Sequence, residues 1–553
     1  MSYLRPPGLG PIVGHTTDKS CRIWVRAEDP HDSGSALDSE RRTIGVLGVL
    51  NTKKKLDPKK IYYFRLHREF DRTGTFVLGN QQSLVSTSDN PPLKPDSVYR
   101  VRVGILTLDD PLRDDELLED DELESKLPPP REWAKEMVEL PASKSEAVFR
   151  TFPAQTREGS VVDKLSFLTG SCRFPGLLFK AKRADKIFKA VLKEARLSRN
   201  DVKPSFIVMT GDQIYADTLN RLVPIGRADT FEEFQERYHT AFGSRNMRKL
   251  MRNKTVYMIL DDHEIEDNWH QDRFNYPDKI FQVTKSQLFT IAIDAYMSYQ
   301  WSHGPRNFGR RLFYTFECGG YPFFVCDTRT QRYMDDDEDS LGDNHLLGRP
   351  SIGDSAPAQI DRLLKWLQDQ PKNVPKFIIT SSVFAPNPIF ARDSSSKKRK
   401  EKSDSWPAFP STRRAILDCI VGNTIQNVVF VSGDIHCANI AQMYFDNVEE
   451  NLKIYSITSS AFYWPFPFAD GDPANFVHDS RATEQEDPFS LSNGNVIMHY
   501  KAWNFTQEDN FCRIDIDRKK KQLVVRTFND RGKIVRHENT GDELVASLPL
   551  EPW

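Results

Sequence analysis

From Lys164 onward the chain repeats one pattern: a short, nearly continuous apolar run that stops at polar residues. KLSFLT leads into GSCR, PSFIVMT into GDQIYAD, TVYMIL into DDHE, and YPFFVC into DTR. PKFIIT leads into SSVF, NVVFVS into GDIHC, and LKIYSIT into SSAF. A strand that is apolar on both faces must be covered on both, so these runs predict an α/β fold with a central sheet under helices. The helices lie between the runs. PAQIDRLLKWLQDQ sets Ile360, Leu363, Leu364 and Leu367 at i, i+3, i+4 and i+7 on one face, and AKRADKIFKAVLKEA and SQLFTIAIDAYMSYQ also read as helical.

The first 155 or so residues follow a different rule. SCRIWVRAE alternates Cys21, Ile23 and Val25 with Arg22, Trp24 and Arg26, and KKIYYFRLHRE, GTFVLGN, SVYRVRVGILTL and EAVFRTFP are similar short runs. Turn residues separate them, which predicts a β-sandwich over residues 1–157. Asp109–Glu124 reads as a solvated acidic insertion or short polar helix, and Phe152–Gly159 as a linker. The second domain then spans 158–553. It includes a C-terminal meander of NFCRIDID, KKKQLVVRTFND and GKIVRHEN. Ser394–Ser405 reads as a disordered basic surface loop, with a nuclear-localisation patch at Lys397–Lys402 as the alternative.

Charge and cysteine usage narrow the function. Lys and Arg total 76 against 78 Asp and Glu, a net charge of −2, which argues against a whole-chain basic nucleic-acid binder. No apolar run reaches the 18 or so residues of a membrane span, and MSYLRPPGLGPIVGHTT has no apolar signal core. Seven scattered cysteines without a C-x-x-C pair form neither a disulfide framework nor a zinc finger. The expected setting is a reducing, cytoplasmic one.

The polar run ends carry the chemistry. Ligands of open α/β sheets bind at the carboxyl ends of strands. Here those ends bear Cys172, Asp212, Asp261–Asp262–His263, Asp327, and Asp434 with His436. Singly, such an Asp is a helix cap or turn residue and such a Cys is a small core residue. Together they make a metal-site pattern, because clustered carboxylates repel one another until a cation joins them. An aspartate-based phosphatase or a plain carboxylate dyad leaves the histidines and Cys172 unexplained. Arg173 and Arg329 directly follow run ends and are candidate phosphate clamps, since a guanidinium matches two phosphate oxygens. For Arg329 the competing reading is an ion pair with Asp335, Asp336, Asp337 or Glu338.

GSCR at Gly170–Arg173, GDQIYAD at Gly211–Asp217, DDHE at Asp261–Glu264 and SGDIHCA at Ser432–Ala438 resemble the PhoD-type alkaline phosphatases, a branch of the calcineurin-like metallophosphoesterases. GPIVGHTTDKSCRIWVRAE, FRTFP, DTRTQR, SWPAFPSTRRAIL and DNFCRIDID resemble further landmarks of that family in the same order. The resemblance implies an immunoglobulin-like β-sandwich followed by a four-layered α/β/β/α metallophosphoesterase domain. It implies Asp212 as the bridging ligand of two or more metals, with Cys172, Tyr215 and His436 at one metal and Asp262 and Asp434 at the other. It implies Fe³⁺ and Ca²⁺, with Zn²⁺, Mn²⁺ or Mg²⁺ as alternatives, and His263 beside the leaving oxygen. No ligand is assigned on the run ending at Ser381–Ser382 and followed by Phe384 and Asn387.

The expected activity is hydrolysis of small phosphomonoesters or phosphodiesters by metal-activated water. A non-catalytic or regulatory phosphate-ligand-binding module on the same fold is the alternative, and the complete ligand set argues against it. Stable nucleic-acid binding through KKRKEK is a third reading, and the near-neutral charge does not favour it. His270, His303, His345, His478 and His499 read as structural, and Cys326 and Cys437 as core. Trp464, Phe466 and Phe468 read either as a substrate mouth or as a packed aromatic loop.

Overall fold

A computed structural model describes residues 2–28, 42–85, 89–108, 119–154, 160–175, 181–217, 226–275, 283–334, 341–351, 357–387, 406–466, 473–482 and 489–553. Outside the described residues lie most of the acidic run (109–118), the linker segment 155–159, Asp335–Glu338, the whole of Ser394–Ser405 with its Lys397–Lys402 patch, and Phe468. The end of the acidic run is described, and Asp120–Lys126 is a short helix.

The chain is a mixed α/β protein, and each apolar run forms a strand. Among the described residues, Lys164–Gly170, Phe206–Met209 and Thr255–Met258 lie parallel in one six-stranded sheet. Tyr321–Val325, Lys376–Ile379, Val428–Ser432 and Ile454–Ser459 lie parallel in an eight-stranded sheet. A shared aromatic core joins the two sheets. Phe206 meets Phe323 at 5.3 Å, Phe167 meets Phe377 at 5.3 Å, and Tyr257 stacks on Phe316 at 3.9 Å between ring centroids. Phe and Tyr each bury a large apolar area, so this layer carries much of the burial energy.

Helices cover the far side of each sheet. Lys186–Glu194, Phe231–Gly243, Arg245–Met251 and Lys285–Tyr299 pack on Leu168, Ile207 and Val256. Gln359–Asp369 and Pro410–Gly422 pack on Phe324, Ile378 and Phe430. In Gln359–Asp369, Ile360, Leu363 and Leu367 of the predicted face are buried and Leu364 is half-buried. No helix among the described residues is long and apolar enough to cross a membrane.

The tail joins the first sheet: Asn510–Asp517 runs antiparallel to Lys164–Gly170, followed by Gln522–Asn529. The third tail strand is Val545–Pro549, not Gly532–Asn539. Ile534 and Arg536 make only isolated bridges, because the residues after Asn529 turn back on themselves before the chain regains the sheet edge.

The N-terminal part holds a five-stranded and a three-stranded sheet that share a core of Val13, Ile23, Phe76, Leu47, Tyr62 and Val103. The central strand Thr43–Leu50 escapes a period-two search because TIGVLGVL does not alternate. Its Gly45 is required by close packing, since a Cβ there would stand 2.3 Å from the Phe64 ring. In Cys21–Arg26 the second face is buried as well. Trp24 enters the helical core of the first sheet and its indole N–H donates to the Ser298 carbonyl at 2.9 Å. Arg26 is held by both oxygens of Asp71, at 2.7 and 2.9 Å. The core therefore continues across residue 157. None of the seven cysteines is in a disulfide, and all are buried.

Candidate metal centre

The carboxyl ends of the parallel strands in both sheets meet at one place. Cys172 follows Lys164–Gly170, Asp212 follows Phe206–Met209, Asp261 and Asp262 follow Thr255–Met258, and Asp434 and His436 follow Val428–Ser432. The backbone turns sharply at these points. Cys172 (φ 55°), Asp212 (φ 54°), Asp434 (φ 72°) and His436 (φ 56°) all take left-handed conformations. Non-glycine residues adopt that region at a cost that the surrounding structure must offset. Two glycines let these turns close on each other. A Cβ on Gly211 (φ 108°) would lie 2.4 Å from the Asp261 Cβ, and one on Gly433 would lie 2.1 Å from the Ser171 Oγ.

Three overlapping groups of ligand atoms result, each with all its atoms within 4.8 Å of one another: Cys172, Asp212 and His436; Asp212, Asp262 and His263; Asp261, Asp262 and Asp434. The Tyr215 hydroxyl donates to Asp212 Oδ2 at 3.2 Å, and its ring stacks on His263 at 4.2 Å. Every metal ligand expected from the sequence is thus in one cluster. Asp327 is not: it caps its own turn, accepting from the backbone N–H of Arg329 and Thr330 at 3.1 and 2.9 Å. Ser381 and Ser382 contribute nothing to the three groups; Ser382 Oγ accepts from Arg332 at 2.6 Å. Asn387 accepts from Arg413.

The electrostatics fit a cation. Burial, then the neighbouring Asp262, Asp261 and Glu264 carboxylates, push the Asp212 carboxyl well above its usual range, against the pull of His263. Burial and then Asp212 raise the Cys172 thiol and the Tyr215 phenol well above theirs. A bound metal reverses that logic by stabilising the anionic ligands. The His436 imidazole is held neutral, its pKa pushed down to about 3 by enclosure and then by His263, which suits a metal ligand. Three buried atoms of the expected ligands, Asp212 Oδ1, Asp262 Oδ1 and His436 Nε2, have no hydrogen-bond partner. A buried polar atom left unpaired costs free energy that a metal bond would recover.

Residues without a role in the sequence reading build the frame. The carboxylate of Glu264, wholly buried, accepts from the backbone N–H of Asp212 (3.1 Å), Gln213 (2.7 Å) and Asp261 (2.9 Å), and from the Gln300 amide (3.1 Å). Asp217 accepts from His263 Nδ1 at 2.8 Å and from the Asp267 N–H at 2.6 Å. Burial disfavours the His263 imidazolium, but Asp217, Asp262 and Asp212 outweigh it and hold the pKa well above the usual value. Both residues lie inside quoted motifs, GDQIYAD and DDHE, so their positions were visible and their partners were not. Trp464 stacks on His436 at 3.7 Å, and Phe174 packs edge-on against Tyr215 and Trp464, giving the centre an aromatic wall.

The two arginines lie in different surroundings. Arg329 is fully buried and pairs with Asp261 at 2.5 Å, reaching Asp262 at 3.4 Å and Asp434 at 3.7 Å. It binds the site's own carboxylates. Arg173 points to the helices. Its Nη2 lies 3.3 Å from Ser244 Oγ and its guanidinium 5.8 Å over the Phe188 ring, because alternate residues of this segment face opposite sides and Cys172 and Phe174 take the metal side. Of the histidines read as structural, His499 pairs with Asp446 at 2.9 Å, His478 with Tyr500 at 2.7 Å and His270 with Asp272 at 3.4 Å.

Comparison with known proteins points to one family. The family model for PhoD-like phosphatases matches residues 185–508, which include Asp212 through His436. The curated alkaline phosphatase D of Bacillus subtilis (strain 168) is 24% identical over 240 residues, 41% of this chain. That alignment covers 38% of the relative's own length. A solved structure of PhoD superposes with a TM-score of 0.59 at 16% identity, covering 94% of this chain and 86% of that one, so the fold is shared. With the family model spanning more than half of it, the chain belongs to the PhoD-like phosphatase family.

Proposed function

We propose that the protein is a metal-dependent hydrolase of phosphoric esters, acting on small phosphomonoesters, phosphodiesters or both. One observation carries this reading: thiol, phenol, imidazole and carboxylates converge with three buried ligand atoms that have no hydrogen-bond partner. Asp212 belongs to two of the groups, as a bridging ligand would. Cys172, Tyr215 and His436 would complete one metal position and Asp262 and Asp434 the other. Thiolate and phenolate donors suit Fe³⁺ and an oxygen-only position suits Ca²⁺, with Zn²⁺, Mn²⁺ and Mg²⁺ as alternatives. Bound metals would supply positive charge at the reacting oxygens and lower the pKa of water towards neutrality.

The protein's own groups would do the rest. Asp217 holds His263 by Nδ1, leaving Nε2 to donate a proton to the leaving oxygen. Arg329 would keep Asp261, Asp262 and Asp434 ionised and in register, and would clamp phosphate only by exchanging one of them. Arg173 would support the Cys172 turn from the helix side. Trp464 would hold the His436 ring flat and border the substrate.

We also read residues 1–157 as an immunoglobulin-like sandwich and 158–553 as a four-layered α/β/β/α domain. Separate helical cores on either side of one aromatic core support the second reading. Seven cysteines without a disulfide support a cytoplasmic setting.

The test is hydrolysis of p-nitrophenyl phosphate and bis-p-nitrophenyl phosphate, each before and after chelation. Turnover that chelation abolishes and metal restores is the expected result. Turnover indifferent to a chelator that removes all metal would contradict the proposal.

A further inference from the structure

A second concave site lies far from the metals. The strands Lys164–Gly170, Phe206–Met209 and Thr255–Met258 carry the metal centre at their carboxyl ends. At their amino ends, Lys164, Ser205 and Lys254 line a cleft of about 850 Å³ against the N-terminal strands Val98–Thr107 and Glu146–Arg150. Four to seven residues of strand separate the two sites, on the order of 13–23 Å at about 3.3 Å per residue. No residue of the metal centre lines the cleft.

The cleft is strongly cationic in a chain of net charge −2. Three of its cations are paired with its three carboxylates: Arg100 with Glu146, Arg150 with Asp96 at 2.7 Å, and Lys164 with Asp201 at 3.8 Å. Arg196, Lys203, Arg252 and Lys254 remain beyond those pairs. Three of them are tied to neutral groups: Lys254 donates to the Pro204 carbonyl at 2.6 Å, Arg252 to the Ala142 carbonyl at 2.6 Å, and Arg196 to the Asn253 side chain at 3.1 Å. The crowding has an electrostatic signature. The Lys254 ammonium is pushed down to about 8, first by burial and then by Lys203, Arg150 and Arg196. A concave surface lined by one sign of charge concentrates counter-ions, and guanidinium and ammonium groups suit phosphate oxygens.

We propose that this cleft binds a small, multiply charged oxyanion of the oligophosphate type at the junction of the N-terminal sheets and the first large sheet. The lining shares no residue with the three metal-ligand groups, and the role proposed for it is binding. An anion there would touch both sides of the seam and tie them together.

The test is fluorescence anisotropy of pyrenetetrasulfonate on the metal-loaded protein, because sulfonates are poor metal ligands. Tripolyphosphate should displace the probe. The Arg196→Ala/Lys203→Ala variant, which alters two exposed side chains and breaks no carboxylate pair, should bind at least tenfold more weakly while its p-nitrophenyl phosphate turnover matches the unaltered protein. Lys203→Glu alone should weaken binding in the same direction. Undiminished probe affinity in both variants, or failure of tripolyphosphate to displace the probe, would overturn the proposal.

Discussion

At the scale of single residues, the left-handed backbone of Cys172, Asp212, Asp434 and His436 is the feature a sequence hides best. Each position costs about 1–3 kcal/mol that its surroundings must offset. Glu264 is the clearest source of that support. The DDHE motif places it, but its four accepted hydrogen bonds come from three separate segments and are invisible in one dimension. Arg329 shows the same limit. Its position after a run end is legible, whereas its pairing with Asp261, 68 residues away, needs the fold. Glu264→Gln would turn an amide NH₂ towards backbone N–H groups. It should destabilise the protein by about 1–3 kcal/mol and lower turnover, because the Asp212 and Asp261 turns lose their common acceptor. Thermal melting with steady-state kinetics checks this, and wild-type values of both would refute the role.

At the scale of elements, continuous apolar runs were the readable signal. All seven runs after Lys164 became strands, because a doubly covered strand needs apolar residues on both faces. Alternation was a weaker guide. Trp24 and Arg26 sit on what a period-two pattern makes an outer face, and a neighbouring layer covers that face. The same seam buries His303. A Cβ on Gly14 would stand 2.3 Å from the His303 carbonyl oxygen, so strand Leu9–Thr16 and this turn are in direct contact. Burial, then Arg22 and Arg306, push the His303 pKa down to about 3. A base with a depressed folded pKa stays neutral while the unfolded chain takes up a proton. Its contribution is therefore intact above about pH 6.5 and is lost as pH falls from there towards 3. The loss is about 2 kcal/mol by pH 5, at about 1.4 kcal/mol per unit. Denaturant unfolding at pH 7 and pH 5 should show that slope in the wild type and a flatter one in His303→Gln. Equal slopes would remove His303 from the account.

At the scale of the whole molecule, the centre exists only because two sheets present their carboxyl ends to each other. Cys172, Asp212 and Asp262 come from one sheet and Asp434 and His436 from the other, with the aromatic layer fixing the distance between them. The candidate ligands Cys172, Asp212, Asp262, Asp434 and His436 were legible because each follows an apolar run, whereas Tyr215 came only from the family resemblance. Their grouping into three overlapping sets was not legible, since it depends on how the sheets stack. That architecture makes Asp212 the residue on which the account rests, because it is shared by two sets. The most direct measurement is the metal content of purified wild-type and Asp212→Ala protein by elemental analysis, with turnover assayed on the same samples. Wild-type protein should carry about two or more ions per chain, as a paired-metal site requires, and the variant should lose both metal and turnover. A folded Asp212→Ala protein that retains full metal and near-wild-type turnover would contradict it.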